Sequence, residues 1–122
     1  MTARILIVDD DDTWHSLLVR TLERSGYSAQ AECNGAAGLA AYRKDAFDLV
    51  ITDVFMPEAD GLEIISALQN AQPRPKILAM SGSNTGGRLD FVAVVADLGA
   101  DLALRKPFGP DILLASVKAL LG

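Results

Sequence analysis

Basic residues are scarce in this chain of 122 residues: 11 Lys and Arg stand against 16 Asp and Glu, for a net charge of −5. No cluster of Lys and Arg interrupts that balance. This argues against a nucleic-acid groove, which needs a basic face to neutralise phosphates. Cysteine is limited to Cys33, so no intrachain disulfide can form and no metal site follows from thiols. Cys33 is expected as a small hydrophobe of the core or of an edge strand. Histidine is limited to His15, which leaves no Ser–His–Asp arrangement for a hydrolase. Beside polar neighbours on the first amphipathic stretch, His15 is expected as an exposed surface residue, not as a metal ligand or phosphohistidine. Long apolar runs are also lacking: none approaches the roughly 20 residues of a membrane span. The amino terminus MTARILIVDD is not organised as a signal peptide, because its apolar run stops at Asp9. Neither membrane nor nucleic acid is therefore an expected partner, and a cytoplasmic setting is the expected one.

What the chain does have is apolar content, 50% of its residues, enough for one real core. Its length fits a single domain over 1–122, with no linker, repeat or second-domain boundary and nothing left for an output domain. Short apolar runs alternate with amphipathic stretches. Strands are expected at 4–8, 27–33, 48–52, 76–80 and 101–105, the second of them weaker and nearer an edge. Helices are expected at 13–25, 35–44, 62–70, 89–98 and 111–121. Asp11 or Asp12 would cap the first helix and Gly26 would end it. Leu17, Leu18, Thr21 and Leu22 would form its inner face, with Trp14 near its start beside the acids. Asn34 would cap the second helix. Strands that are near-continuous apolar runs suit a parallel sheet covered on both faces. The pattern is an α/β fold, (βα) five times, a doubly wound five-stranded parallel sheet.

Chemistry gathers at the strand ends. The first run ends in Asp9, Asp10, Asp11 and Asp12, the third in Asp53, the fourth in Ser81 and the fifth in Lys106 and Pro107. In an open parallel sheet these ends meet at the carboxyl edge, where such folds place their sites. Clustered acids with a hydroxyl and an ammonium suggest Mg2+ and phosphoryl chemistry. Three neighbouring carboxylates repel one another unless a cation lies among them. Asp11 and Asp12 suit the start of a helix better than they suit the site.

The ordered set of an acidic pair after the first strand, DLVITDVFMPEADG around Asp53, Ser81 after the fourth strand and KPF at 106–108 resembles the receiver domain of two-component response regulators. The resemblance spans essentially the whole chain. It implies a flavodoxin-like strand order 2-1-3-4-5. It implies Mg2+ bound by Asp9, Asp10, Asp53 and the backbone carbonyl of Phe55. Asp53 would be the nucleophile that takes a phosphoryl group from a sensor histidine kinase or a histidine phosphotransfer protein. Lys106 would pair with the phosphoryl oxygens, Ser81 would donate a hydrogen bond to them, and Gly82 would leave room for the group. A cis Lys106–Pro107 bond is implied too. The protein would then signal through a downstream protein or pass the group on, and would not be an enzyme acting on a separate metabolite. Three other readings stand beside it: a receiver detached from an output domain, a degenerate receiver serving only as a docking module, and a flavodoxin-like electron carrier suggested by the loop Ser83-Asn84-Thr85-Gly86-Gly87. Against the flavin reading, that loop follows the fourth strand, acids fill the first strand end, and only seven aromatics exist (one Trp, two Tyr, four Phe).

Three positions depart from the family pattern. Ala103 stands where receivers commonly carry Tyr or Phe, so the usual aromatic switch is lacking. The loop after Ser81 is rich in glycine, which suggests switching by loop ordering. Phe55 is expected to hinder an attacking water and so to lengthen the life of a phosphorylated Asp53.

Overall fold

The computed structural model describes residues 2–54, 61–82, 96–97 and 99–122. Five strands, β1 (Arg4–Val8), β2 (Ser28–Glu32), β3 (Leu49–Asp53), β4 (Lys76–Ser81) and β5 (Leu102–Arg105), form one sheet in the order β2-β1-β3-β4-β5. All neighbouring pairs are parallel. The described helices are α1 (Asp12–Arg24), α2 (Gly35–Lys44), α3 (Gly61–Gln69) and α4 (Pro110–Leu121). The helix expected at 89–98 falls almost wholly outside the described residues, of which Ala96 and Asp97 are helical. The glycine-rich loop at 83–87 and the turn holding Phe55 lie outside them as well. No helix among the described residues is long and apolar enough to cross a membrane.

Local chemistry sets the element ends. Asp11 Oδ1 accepts from the Trp14 amide at 3.0 Å, so α1 begins one residue before the expected start. At its other end the Gly26 amide donates to Glu23 and the Tyr27 amide to Leu22, with Gly26 at φ 93°. That is a Schellman ending, which requires the left-handed residue that glycine supplies. Asn34 Oδ1 caps α2 by accepting from the Ala37 amide at 2.8 Å. β2 lies at the sheet edge, as its weaker pattern suggested. It ends at Glu32, so Cys33 follows the edge strand and is exposed, and belongs neither to the core nor to the strand as expected.

Alternate strand residues feed two cores. Leu6, Val8, Val50, Ile77 and Ala79 pack with Tyr42, Phe47, Ile64, Ile65 and Leu68, on the face covered by α2 and α3. Ile5, Ile7, Leu49, Ile51, Leu78 and Met80 pack with Leu18 and Leu22 of α1 and Leu113 and Val117 of α4. The inner stripe of α1 is therefore narrower than expected. Leu18 and Leu22 are buried, whereas Leu17 is 47% exposed. On the α2 side the helix approaches β1 so closely that a Cβ at Gly38 would lie 2.6 Å from Val8 Cγ2.

Candidate functional site

Register brings the strand ends together. Val8 pairs with Thr52, so Asp9 and Asp53 are the next residues along two adjacent strands. Asp53 pairs with Met80, and Ser81 with Arg105, which places Ser81 one step beyond Asp53 and Lys106 one step beyond Ser81. Backbone bonds continue past the strands: the Asp9 amide donates to Glu32 at 3.1 Å, and the Lys106 amide to Ser81 at 2.7 Å. Asp9 and Asp53 follow the alternation of Ile5, Ile7 and of Leu49, Ile51, the face covered by α1 and α4. Lys106 follows Leu102 and Leu104 on that same face, while Ser81 and Ala103 take the opposite parity.

At this edge Lys106 Nζ donates to Asp9 Oδ2 at 2.7 Å and to Asp53 Oδ2 at 2.9 Å. Asp9 is fully buried, Asp53 is nearly so, and the Lys106 side chain is 14% exposed. Burial opposes the charge on Lys106. Its hydrogen bonds to Asp9 and Asp53, with their negative charges, outweigh that and hold the ammonium above the usual lysine range. The repulsion expected among the acids is thus answered by a cation of the chain itself. Asp9 Oδ1 also accepts from the Asp11 amide at 2.9 Å, which fixes the turn.

Asp9, Asp10 and Asp53 can each offer a carboxylate oxygen with all three atoms within 4.8 Å of one another. Such a set of hard oxygen donors, with Asp10 open to solvent, suits Mg2+, which takes oxygen ligands and keeps several waters. Ser81 is buried at the end of β4, and its Oγ donates to the Gly82 carbonyl at 3.2 Å. A Cβ at Gly82 would meet nothing within 4 Å among the described residues, so their packing does not demand glycine there. The Lys106–Pro107 bond is cis, as the resemblance implied. The Phe55 carbonyl lies outside the described residues. Ala103 sits half-buried on β5 against the α2–α3 core.

The sequence left His15 off the site and one contact of Trp14 unforeseen. His15, expected on the surface, has a side chain only 15% exposed, and its Nδ1 lies 3.0 Å from the Asp9 carbonyl. Trp14 was expected near the acids, but its contact with Lys106 was not: the ammonium sits 5.7 Å from the ring centroid. The available signal was the spacing of Trp14, Leu18 and Leu22, one turn apart along a single inner stripe.

The profile of the response regulator receiver domain matches residues 5–118. The chain is 34% identical over 122 residues to the alkaline phosphatase synthesis transcriptional regulatory protein PhoP of Bacillus subtilis, covering 99% of this chain and 49% of that protein. It is 37% identical to the response regulator MprA of Mycobacterium tuberculosis, covering 99% of this chain and 51% of that one. The chain thus spans about half the length of these curated relatives. Among solved structures it resembles the chemotaxis response regulator CheY4 of Vibrio cholerae, with a TM-score of 0.88 and 29% identity over 99% of this chain and 100% of that one. A CheY-like receiver domain protein of Methanospirillum hungatei matches equally well, at 0.88 and 29% over 99% and 94% of the two chains. With its doubly wound sheet in the order 2-1-3-4-5 and acids and a lysine at the carboxyl edge, the chain belongs to the response regulator receiver domain family.

Proposed function

We propose that this receiver accepts a phosphoryl group on Asp53 from a histidine kinase or histidine phosphotransfer protein, with Mg2+, and then binds a downstream protein or passes the group on. The observation that carries this is the Lys106 ammonium shared between buried Asp9 and Asp53, with a third carboxylate beside them. Asp9, Asp10 and Asp53 would hold Mg2+, which when bound neutralises charge on the phosphoryl oxygens. An Asp53 oxygen attacks phosphorus as the bond from phosphorus to the donor's imidazole nitrogen breaks, and that nitrogen keeps the electron pair. A carboxylate needs no general base for this attack, so the chain contributes position and charge. Lys106 keeps one positive charge against the transferred oxygens. Ser81 Oγ can turn from the Gly82 carbonyl to donate to one of them. The chemistry ends on the chain's own carboxylate, so no separate metabolite is turned over.

The test is intact mass after exposure to a small phosphodonor, with and without Mg2+, in wild type and Asp53→Ala. A gain of one phosphoryl group that needs both Mg2+ and Asp53 is expected. No gain, with either a small donor or a kinase, would leave a docking module and end the acceptor reading.

A further inference from the structure

We propose that Trp14 is a positioning residue for Lys106: its indole face walls in the ammonium and keeps it aimed at Asp53. The inference rests on the acceptor reading of Asp53 given above. Three contacts fix the ring. Its backbone amide is held by the Asp11 cap at 3.0 Å. Its Nε1–H donates to Met80 Sδ at 3.4 Å. It makes a T-shaped contact with Phe108, with centroids 5.0 Å apart and planes at 85°. Met80 is fully buried and pairs with Asp53 across the sheet, so the ring is tied to the same level of β4 as the acceptor.

The ammonium has three protons to place. Two go to Asp9 and Asp53, and the negative π face of Trp14 lies 5.7 Å from Nζ, within the range of a cation–π attraction. The same two carboxylates are among those a divalent cation would use. Once Asp9 is engaged by such a cation, Lys106 loses one of its anchors. The ring then remains as the wall that stops the flexible lysine stem from swinging out. An aliphatic side chain fills space but offers the ammonium no attraction.

The consequence has opposite signs in two measurements. Freeing Lys106 lessens its competition for Asp9 and Asp53, so Mg2+ binds more tightly. The same freedom leaves the phosphoryl oxygens without a preset cation, so phosphorylation at saturating Mg2+ slows. A merely structural role would loosen the start of α1, where the acids sit, and weaken Mg2+ binding.

The experiment compares wild type, Trp14→Leu and Trp14→Phe by calorimetric Mg2+ titration and by phosphorylation rate with a small phosphodonor at saturating Mg2+. For Trp14→Leu the expected result is tighter Mg2+ and a rate lower by roughly three- to tenfold, with most of the rate restored in Trp14→Phe. In a Lys106→Gln background, adding Trp14→Leu should change the rate by less than about twofold, as expected when one residue acts only through the other. Weaker Mg2+ binding in Trp14→Leu, a wild-type rate, or an undiminished effect without Lys106 would each overturn the proposal. Should Trp14→Leu fail to fold, Trp14→Met supplies a long apolar side chain with no π face for the same comparison. If the wild type itself gains no phosphoryl group, the acceptor reading falls. The Mg2+ titration then decides Trp14 alone: tightening supports the hold on Lys106, and weakening overturns it.

Discussion

The carboxylate proposed to accept the phosphoryl group should cost the fold stability, and Asp53→Asn tests this. Lys106 Nζ lies 2.9 Å from Asp53 Oδ2. At an effective dielectric of about 20 that attraction is worth about 6 kcal/mol. Asp9 opposes it from no more than 4.8 Å, a repulsion of at least about 3.5 kcal/mol on the same scale. Exposed Asp10, screened by water, adds about 1 kcal/mol. The charges therefore leave little net gain, while burying a carboxylate costs several kcal/mol. Asn keeps an oxygen to accept hydrogen bonds and leaves Lys106 paired with Asp9, so no buried charge is orphaned. In urea unfolding at neutral pH with chelator present, Asp53→Asn should be more stable than wild type by about 1–3 kcal/mol. Lys106→Met strands two buried carboxylates without a cation and should lose about 3–5 kcal/mol. Added Mg2+ should raise the wild type by about 2.7 kcal/mol at a hundred times its dissociation constant, and Asp53→Asn by less, narrowing the gap. An Asp53→Asn protein less stable than wild type in chelator would refute the reasoning, because attraction to Lys106 would then exceed repulsion and burial together.

Gly38→Ala sets two effects against each other: a helix interior gains about 1 kcal/mol from the change, but the new Cβ would lie 2.6 Å from Val8 Cγ2. Overpacking of about 1–3 kcal/mol should win, and because Val8 precedes Asp9, calorimetry should also show weaker Mg2+ binding. Adding Val8→Ala should relieve the clash, whereas a neutral or stabilising Gly38→Ala in urea unfolding would contradict the close approach. Tyr42 donates its hydroxyl proton to the Pro73 carbonyl, so Tyr42→Phe should cost about 1 kcal/mol at neutral pH. Burial and then the charge of Asp48 hold this phenol above its usual 10.0. The folded protein thus keeps a proton that the unfolded chain has lost, so the contribution is whole below pH 10.0 and disappears as pH rises through the folded value. Urea midpoints of wild type and Tyr42→Phe should converge on that alkaline limb, and parallel profiles would count against it.

Much of the fold was legible because four of the five strands are short apolar runs stopped by a polar residue, and each described strand lies within a residue or two of its expected bounds. The expected strand at 48–52 is observed as Leu49–Asp53, which makes the carboxylate proposed as acceptor the last residue of the strand itself. The caps at Asp11, Asn34 and Gly26 were legible because their chemistry is local. What escaped depends on how the chain turns and packs, which the pattern along it does not show. His15 sits beside polar neighbours in the sequence, and only the fold of the β1–α1 turn brings the Asp9 carbonyl to its ring. Leu17 looks like a core residue beside Leu18, yet the packed stripe runs through Leu18 and Leu22 and leaves Leu17 47% exposed. The shared lysine was expected opposite the metal. That it binds both Asp9 and Asp53 follows from register across three strands, which spacing along the chain does not reveal.

Face parity explains why the absence of an aromatic at position 103 need not leave the site without bulky support. Ser81 and Ala103 belong to the face packed by α2 and α3, and at position 103 the side chain is a single methyl group. Asp9, Asp53 and Lys106 belong to the other face, where Trp14 lies against Lys106 and Met80 and Phe108 pack on Trp14. Packed side chains transmit a displacement only where they touch, because interiors are close to crystalline density and yield little. Among the described residues, the large side chain in contact with Lys106 is Trp14, on the first turn of α1. Any movement of the ammonium toward an arriving phosphoryl group therefore changes the load on α1 and, through Phe108, on the start of α4. On the opposite face the same movement meets Ala103, which has no atoms beyond Cβ to carry it.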